Sequence, residues 1–297
     1  MSIPVDTPSR DTTIAALWMI GAIVSFSAMA VGGRVVSFEL DTFELMLYRS
    51  SLGVLIVLAA ASATGNAGSI RAQRMGLHLI RNVFHFAGQN LWFFALTAIP
   101  MAQVFALEFT SPIWVALAAP LILNERLTRR RLAAAVIGFV GILIVSRPGL
   151  VAIGPGQIAA AMAAIGFAGS ALFTRRLTRS ESVVSILFWL TVIQTGLGLF
   201  FAGWDGQIAW PSSAAWPWLA LIACAGLSAH FCLTTALSLA PASIVMPIDF
   251  LRLPVIALVG WLLYAEALDP WILAGGAVIL GANWLNLRPG ATGVTKT

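Results

Sequence analysis

The sequence predicts an all-α integral membrane protein, with ten transmembrane helices in two inverted five-helix repeats around a central cavity. Three observations carry this reading. The chain of 297 residues is 59% hydrophobic and 10% charged, with a mean hydropathy of +0.92, whereas a soluble domain carries about a quarter charged residues. Apolar runs of membrane-crossing length recur along the chain. The second half also repeats the first in register.

The spans fall near residues 14–32, 44–64, 76–97, 101–123, 131–146, 156–174, 183–203, 215–238, 241–264 and 270–287. Span 1 follows Arg10 and contains Ala28-Met29-Ala30, which has the look of a signal-peptide cleavage site. Nine spans follow it and the repeat supplies it with a partner, so it is read as retained. Span 2 carries Arg49 one turn inside its outer end, where Glu44 could pair with it as an outer gate, or the arginine could snorkel. Span 3 carries Arg81, His85, Gln89 and Trp92 at spacings of 4, 4 and 3. That spacing makes one polar stripe, which cannot face lipid and is read as cavity lining. Arg81 is near the inner edge and could also snorkel. Spans 3 and 4, and spans 8 and 9, meet at tight turns at Pro100 and Pro241 and should form close hairpins. Span 5 is short. Span 8 holds His230 and both cysteines, Cys224 and Cys232. Eight residues along a helix is roughly 12 Å, too far for a disulfide, so both are read as packing residues. In span 9, Pro247 and Pro254 bracket Asp249 and Arg252 and remove backbone donors, as in kinked helices that line cavities.

The net charge of +5 and pI near 10.2 do not indicate nucleic acid. The basic residues lie between apolar runs and sort by side. With the N-terminus inside, Arg10, Arg71, Arg74, Arg126, Arg129, Arg130, Arg131, Arg175, Arg176, Arg179, Arg288 and Lys296 are cytoplasmic, against Arg34 and Arg147 outside. This is the positive-inside pattern, with both termini cytoplasmic. No metal-ligand spacing, phosphate loop or nucleophile elbow occurs, so no cofactor, metal or enzymatic activity is expected.

The repeat aligns residues 95–127 with 236–268 without a gap, an offset of 141 set by Ala95 and Ala236. Pro100, Phe109, Glu125 and Leu127 recur as Pro241, Phe250, Glu266 and Leu268, and Glu108 meets Asp249. The register ends on Arg147-Pro148-Gly149 and Arg288-Pro289-Gly290, and begins with Phe26, Ala30 and Arg34 against Phe167, Ala171 and Arg175. Residues 1–147 and 156–290 are the two repeats. Five helices is an odd number, so the second half enters the membrane from the opposite side. Inverted repeats of this kind place the substrate site near the midplane between the halves.

Tyr48-Arg49-Ser50-Ser51-Leu52, Phe109-Thr110-Ser111-Pro112, Asn124-Glu125-Arg126 and the Arg-Pro-Gly closing each half resemble the EamA-type transporters of the drug/metabolite transporter superfamily, over essentially the whole chain. The resemblance extends to the YddG-type bacterial amino-acid exporters and to the S-adenosylmethionine carriers of the same superfamily. It implies a ten-helix fold with a central cavity and transport of small metabolites, often outward.

Ionisable residues within spans are costly and default to functional candidates. The repeat brings Glu108 and Asp249 toward the midplane, either as cavity ligands for an ammonium or proton, or as buried counter-ions. Arg252 lies one turn from Asp249 and could form a structural ion pair or bind a substrate carboxylate. His230 aligns with Gln89, which puts His85 and His230 near the axis, as cavity residues or as satisfied packing histidines. Trp92, Trp114 and Phe250 complete the candidate cavity as aromatic walls. The expected function is secondary transport across a bacterial inner membrane by alternating access, exporting small metabolites, foremost aromatic or apolar amino acids. Import or exchange of S-adenosylmethionine is the alternative and an intramembrane enzyme a remote one. The expected partners are a small-molecule substrate and the lipid bilayer, with no nucleic acid; oligomeric state is open.

Overall fold

A computed structural model describes residues 10–123, 128–147, 153–239 and 248–287; no strand occurs among them. The turn at Pro241, Pro247, Asn124-Glu125-Arg126 and the Pro-Gly of both closing motifs lie outside the described residues. The helices are α1 (Arg10–Val36), α2 (Thr42–Ala63), α3 (Met75–Ala98), α4 (Met101–Glu108), α5 (Ser111–Leu123), α6 (Arg129–Ser146), α7 (Pro155–Leu177), α8 (Val183–Ala202), α9 (Ala215–Leu239), α10 (Arg252–Tyr264) and α11 (Pro270–Leu287).

Helix ends are written locally. Asp41 caps α2 by accepting from the Glu44 amide, while the Glu44 carboxylate accepts from the Asp41 amide, a capping box. Ser182 caps α8 by accepting from the Ser185 amide, and Pro155 starts α7, where its missing N–H costs nothing.

Among the described residues six helices are long and apolar enough to cross a membrane: Asp11–Val36, Thr42–Ala63, Met101–Leu123 taken through its break, Pro155–Leu177, Val183–Ala202 and Ala215–Ala236. The sequence predicts ten. The stretches Leu132–Ser146, Arg252–Tyr264 and Pro270–Leu285 are apolar but shorter. The 24-residue α3 has the length, but its buried His78, Arg81, Asn82, His85, Gln89 and Asn90 lower its hydropathy. Leu79, Ile80, Val83 and Phe94 of the same helix are exposed. Polar groups inside and apolar groups outside is the pattern of a helix facing lipid on one side and a polar interior on the other.

The principal helix contacts cross between the halves: α1 with α9, α3 with α7, α2 with α8, α6 with α11, and α4 with α10. Glycines set two of these crossings. A β-carbon on Gly166 of α7 would lie 2.7 Å from Gly88 Cα of α3. One on Gly275 of α11 would lie 2.8 Å from the Gly141 carbonyl oxygen of α6. Small residues allow this backbone approach, which carries helix association where lipid supplies no hydrophobic drive.

Span 4 is broken between α4 and α5 at Phe109-Thr110, and span 9 breaks at Phe250-Leu251. These positions coincide at the 141-residue offset. Pro112 and Pro254 sit in the first turns of α5 and α10, where proline is tolerated. Pro254 therefore starts a half-helix and does not kink a continuous one. The break exposes the Phe109 carbonyl, which accepts from Asn283 Nδ2 of α11, and Thr110 Oγ1 donates to the Leu107 carbonyl. Backbone groups freed inside a membrane protein need such partners.

Candidate functional site

Glu108 and Asp249 immediately precede the two breaks, and Arg252 joins them. Its Nη2 donates to Asp249 Oδ2 at 3.1 Å and to Glu108 Oε1 at 3.2 Å. The i,i+3 pair expected within span 9 thus forms, and it extends across to the other half. Trp92 Nε1 donates to Glu108 Oε2 at 2.8 Å, so both Glu108 oxygens are engaged. Asp249 Oδ1 and Arg252 Nε are buried without a partner.

Arg252 is enclosed by rings. Its guanidinium carbon lies 4.5, 5.2 and 5.0 Å from the ring centres of Phe26, Phe105 and Phe109, distances at which a cation is held by aromatic faces. Phe109 and Phe250, the two residues at the breaks, meet edge to face at 5.4 Å. The centre is thus filled by the folded Arg252 side chain.

Phe26, which also packs on His230, links this centre to the histidines. The rings of His85 and His230 lie 6.1 Å apart. Each packs on a phenylalanine of the opposite half: His85 on Phe167 at 6.0 Å and His230 on Phe26 at 5.7 Å. Phe26 and Phe167 are repeat partners. His85 Nδ1 is 3.5 Å from Ser170 Oγ, and its Nε2 is buried without a partner, as is Gln89 Oε1.

Two further arginines adjoin the histidines. Arg81 is buried, its Nε donating to Thr174 Oγ1 at 2.7 Å and its Nη1 without a partner. Arg49 has Nε and Nη1 buried without a partner. Its Nη2 would be 3.9 Å from a β-carbon on Gly226, one turn before His230 on α9.

The stripe Arg81, His85, Gln89 and Trp92 is buried; Trp92 meets Glu108 and His85 meets His230. Three expectations need correction. Arg81 is buried and does not snorkel. Arg49 does not pair with Glu44, whose carboxylate is used by the α2 cap and by the Ala209 amide. Trp114 lies elsewhere: it packs edge to face on Phe139 at 5.3 Å and lines an apolar groove of about 270 Å³ with Phe84, Leu117, Leu121 and Leu172. Its side chain leaves α5 toward Phe139 of α6 and the groove bordered by α3 and α7. Phe105, Ser170 and Thr174 carry no signal in the sequence, because nothing distinguishes them from packing residues until α3 and α7 are brought together. Phe26 and Phe167 did carry one, their recurrence in the repeat.

Among the described residues no cluster of three or more His, Cys, Asp or Glu side chains could hold a metal. Cys224 is exposed, Cys232 is buried, and both are free.

Broken helices meeting at buried charges, in an all-helical chain with lipid-type surfaces, define a multi-pass membrane transporter. The chain belongs to the EamA-like transporter family, which it matches twice, at residues 13–147 and 154–288. It is 33% identical to a riboflavin transporter of Rhizobium johnstonii over 95% of this chain and 93% of that one. It is 25% identical to an S-adenosylmethionine uptake transporter of Rickettsia felis over 90% of each chain, and 25% identical to the pseudopaline exporter of Pseudomonas aeruginosa over 88% of this chain and 91% of that one. A solved crystal structure superposes with a TM-score of 0.64 at 18% identity, covering 92% of this chain and 96% of the other; that likeness concerns the fold.

Proposed function

We propose that the protein is a secondary transporter that carries a planar heteroaromatic metabolite, a flavin foremost, through the central cluster by alternating access. Two inverted five-helix repeats form it, residues 1–147 and 156–290, in a bacterial inner membrane with both termini cytoplasmic. The observation that carries the reading is Arg252 joining Glu108 and Asp249 where the two broken helices meet. Helix pairs that exchange under the repeat, α1–α9 with α3–α7, support the pseudo-two-fold arrangement. Broken helices at such an axis are the recurring site of secondary transporters, and rocking of the halves about it exposes each side in turn.

The relatives that transport riboflavin and S-adenosylmethionine favour a flat nitrogen heterocycle. Phe26, Phe167, His85 and His230 supply ring faces for it, and the free donors of Arg49 and Arg81 and the free Asp249 Oδ1 suit the carbonyl and imide groups of a flavin. Amino-acid export is the second reading, favoured by Asp249 Oδ1 as an acceptor for an ammonium. Arg49, Arg81 and Arg252 stand against Glu108 and Asp249, one positive charge in excess, which disfavours the ammonium of such a zwitterion and favours its carboxylate. S-adenosylmethionine, itself cationic at its sulfonium, meets the same excess.

Counterflow in proteoliposomes tests this, with labelled riboflavin, S-adenosylmethionine and an amino-acid panel. Riboflavin exchange lost in R252Q is the expected result. Amino-acid flux without riboflavin flux overturns the flavin reading.

A further inference from the structure

We infer that Arg49 and Arg81 form an anion subsite, so that among heteroaromatic solutes the protein favours those carrying an oxyanion, a carboxylate or phosphate, beside the ring over their neutral counterparts. The inference rests on the reading of the central cluster as the transport site and goes beyond it by assigning the charge of the solute.

The cluster holds two kinds of arginine. Arg252 has two carboxylates and three ring faces. Arg49 and Arg81 have no carboxylate within ion-pair distance among the described residues, although Arg81 is 4% exposed. Their orphaned donors, Nε and Nη1 of Arg49 and Nη1 of Arg81, are buried from solvent. An isolated buried cation costs several kcal/mol, and folding alone gives no reason to bury Arg81 and two nitrogens of the half-buried Arg49 there. Conserving helix packing would need neither charge, since an apolar residue of similar volume would serve.

The two side chains arrive from different helices, α2 and α3. Arg81 and Gln89 flank His85 at one helical turn each. Arg49 abuts α9 one turn before His230. Both carboxylates of the cluster are already held at Arg252, so the charge balance leaves the Arg49–Arg81 side positive. Guanidinium forks suit carboxylate and phosphate oxygens. The phenylalanine–histidine pairs lie on the side where the ring attached to such a group would stack.

Matched solutes differing only in the charged group test this on the purified full-length chain in detergent. The pairs are riboflavin with riboflavin 5′-phosphate, and indole-3-acetamide with indole-3-acetate. Binding is measured by calorimetric titration. The expected result is that the anionic member of one pair binds at least tenfold more tightly than its neutral mate, and which pair does so separates phosphate from carboxylate. R49Q and R81Q reduce that preference to within about twofold, whereas R49K and R81K retain most of it and show that the fold is intact. Equal binding of both mates, a preference that survives both glutamine variants, or no binding of either anion overturns the assignment. E108Q and D249N are measured in parallel. If they abolish solute binding while no charge preference exists, the anion subsite fails and the cluster reading stands. If binding is indifferent to these and to the arginine variants, the cluster reading itself fails.

Discussion

Arg252 of one half donates to Glu108 of the other at 3.2 Å, across 144 residues of sequence. The repeat explains why two acids meet there, but not the arginine: its counterpart is Ser111. A symmetric pair of buried carboxylates would repel, and a single asymmetric cation between them removes the repulsion.

R252Q should therefore destabilise the protein by about 3–5 kcal/mol, the usual cost of leaving buried charges without their partner. The triple variant R252Q, E108Q and D249N should recover most of this, because no charge is left uncompensated. Thermal unfolding in detergent reads both. Counterflow should fall at least tenfold in each, since recovery of stability does not restore the site.

Trp92 and Trp114 were equal candidates by sequence and should separate by experiment. W92F removes the donor to Glu108 Oε2 and should lower transport about tenfold, the loss expected for a hydrogen bond to a charged group. W114F should stay within about twofold of the parent, because Trp114 borders the apolar groove.

Glu266 closes one end of the bundle. It pairs with Arg34 of α1 and accepts from the Met101 amide at 2.9 Å. Its carboxylate lies over Gly260, where a β-carbon would come within 2.3 Å of Oε2. E266Q and G260A should both release this latch, one by charge and one by sterics. Hydrogen exchange at the Met101 amide should rise at least tenfold in each; unchanged exchange in both variants would show that the latch does not hold α1 and α4 at this end.

Gly166 should tolerate no larger residue. G166V forces a side chain against the Gly88 backbone, and overpacking of this kind costs about 1–3 kcal/mol. G196A, with nothing within 4 Å of the added carbon, should be neutral within error by the same melting assay.

Much of the site was legible because membrane burial makes polar residues conspicuous. His85 and Gln89 at helical spacing in an apolar run were read as facing inward, with Arg81 left between that face and the interface, and all three are buried. Offset matching identified Glu108 with Asp249 and Phe109 with Phe250 before any contact was known. The misreadings came from residues whose partner could not be inferred. Glu44 looked free to pair with Arg49, but a capping box and the Ala209 amide take it. Trp114 looked deep, but depth along a span does not say which face of the helix a side chain occupies.

By itself the sequence determined the membrane class, the duplication, the buried polar stripe of α3 and the pairing of the two acids, because each is a matter of composition, period or offset along one chain. The tertiary structure alone decided that both breaks fall at one shared register, that Arg252 bridges the halves, and that Arg49 and Arg81 stand without carboxylates beside the histidines. Those facts depend on which faces meet when α1 packs on α9 and α3 on α7, and close crossings at a few glycines set that choice.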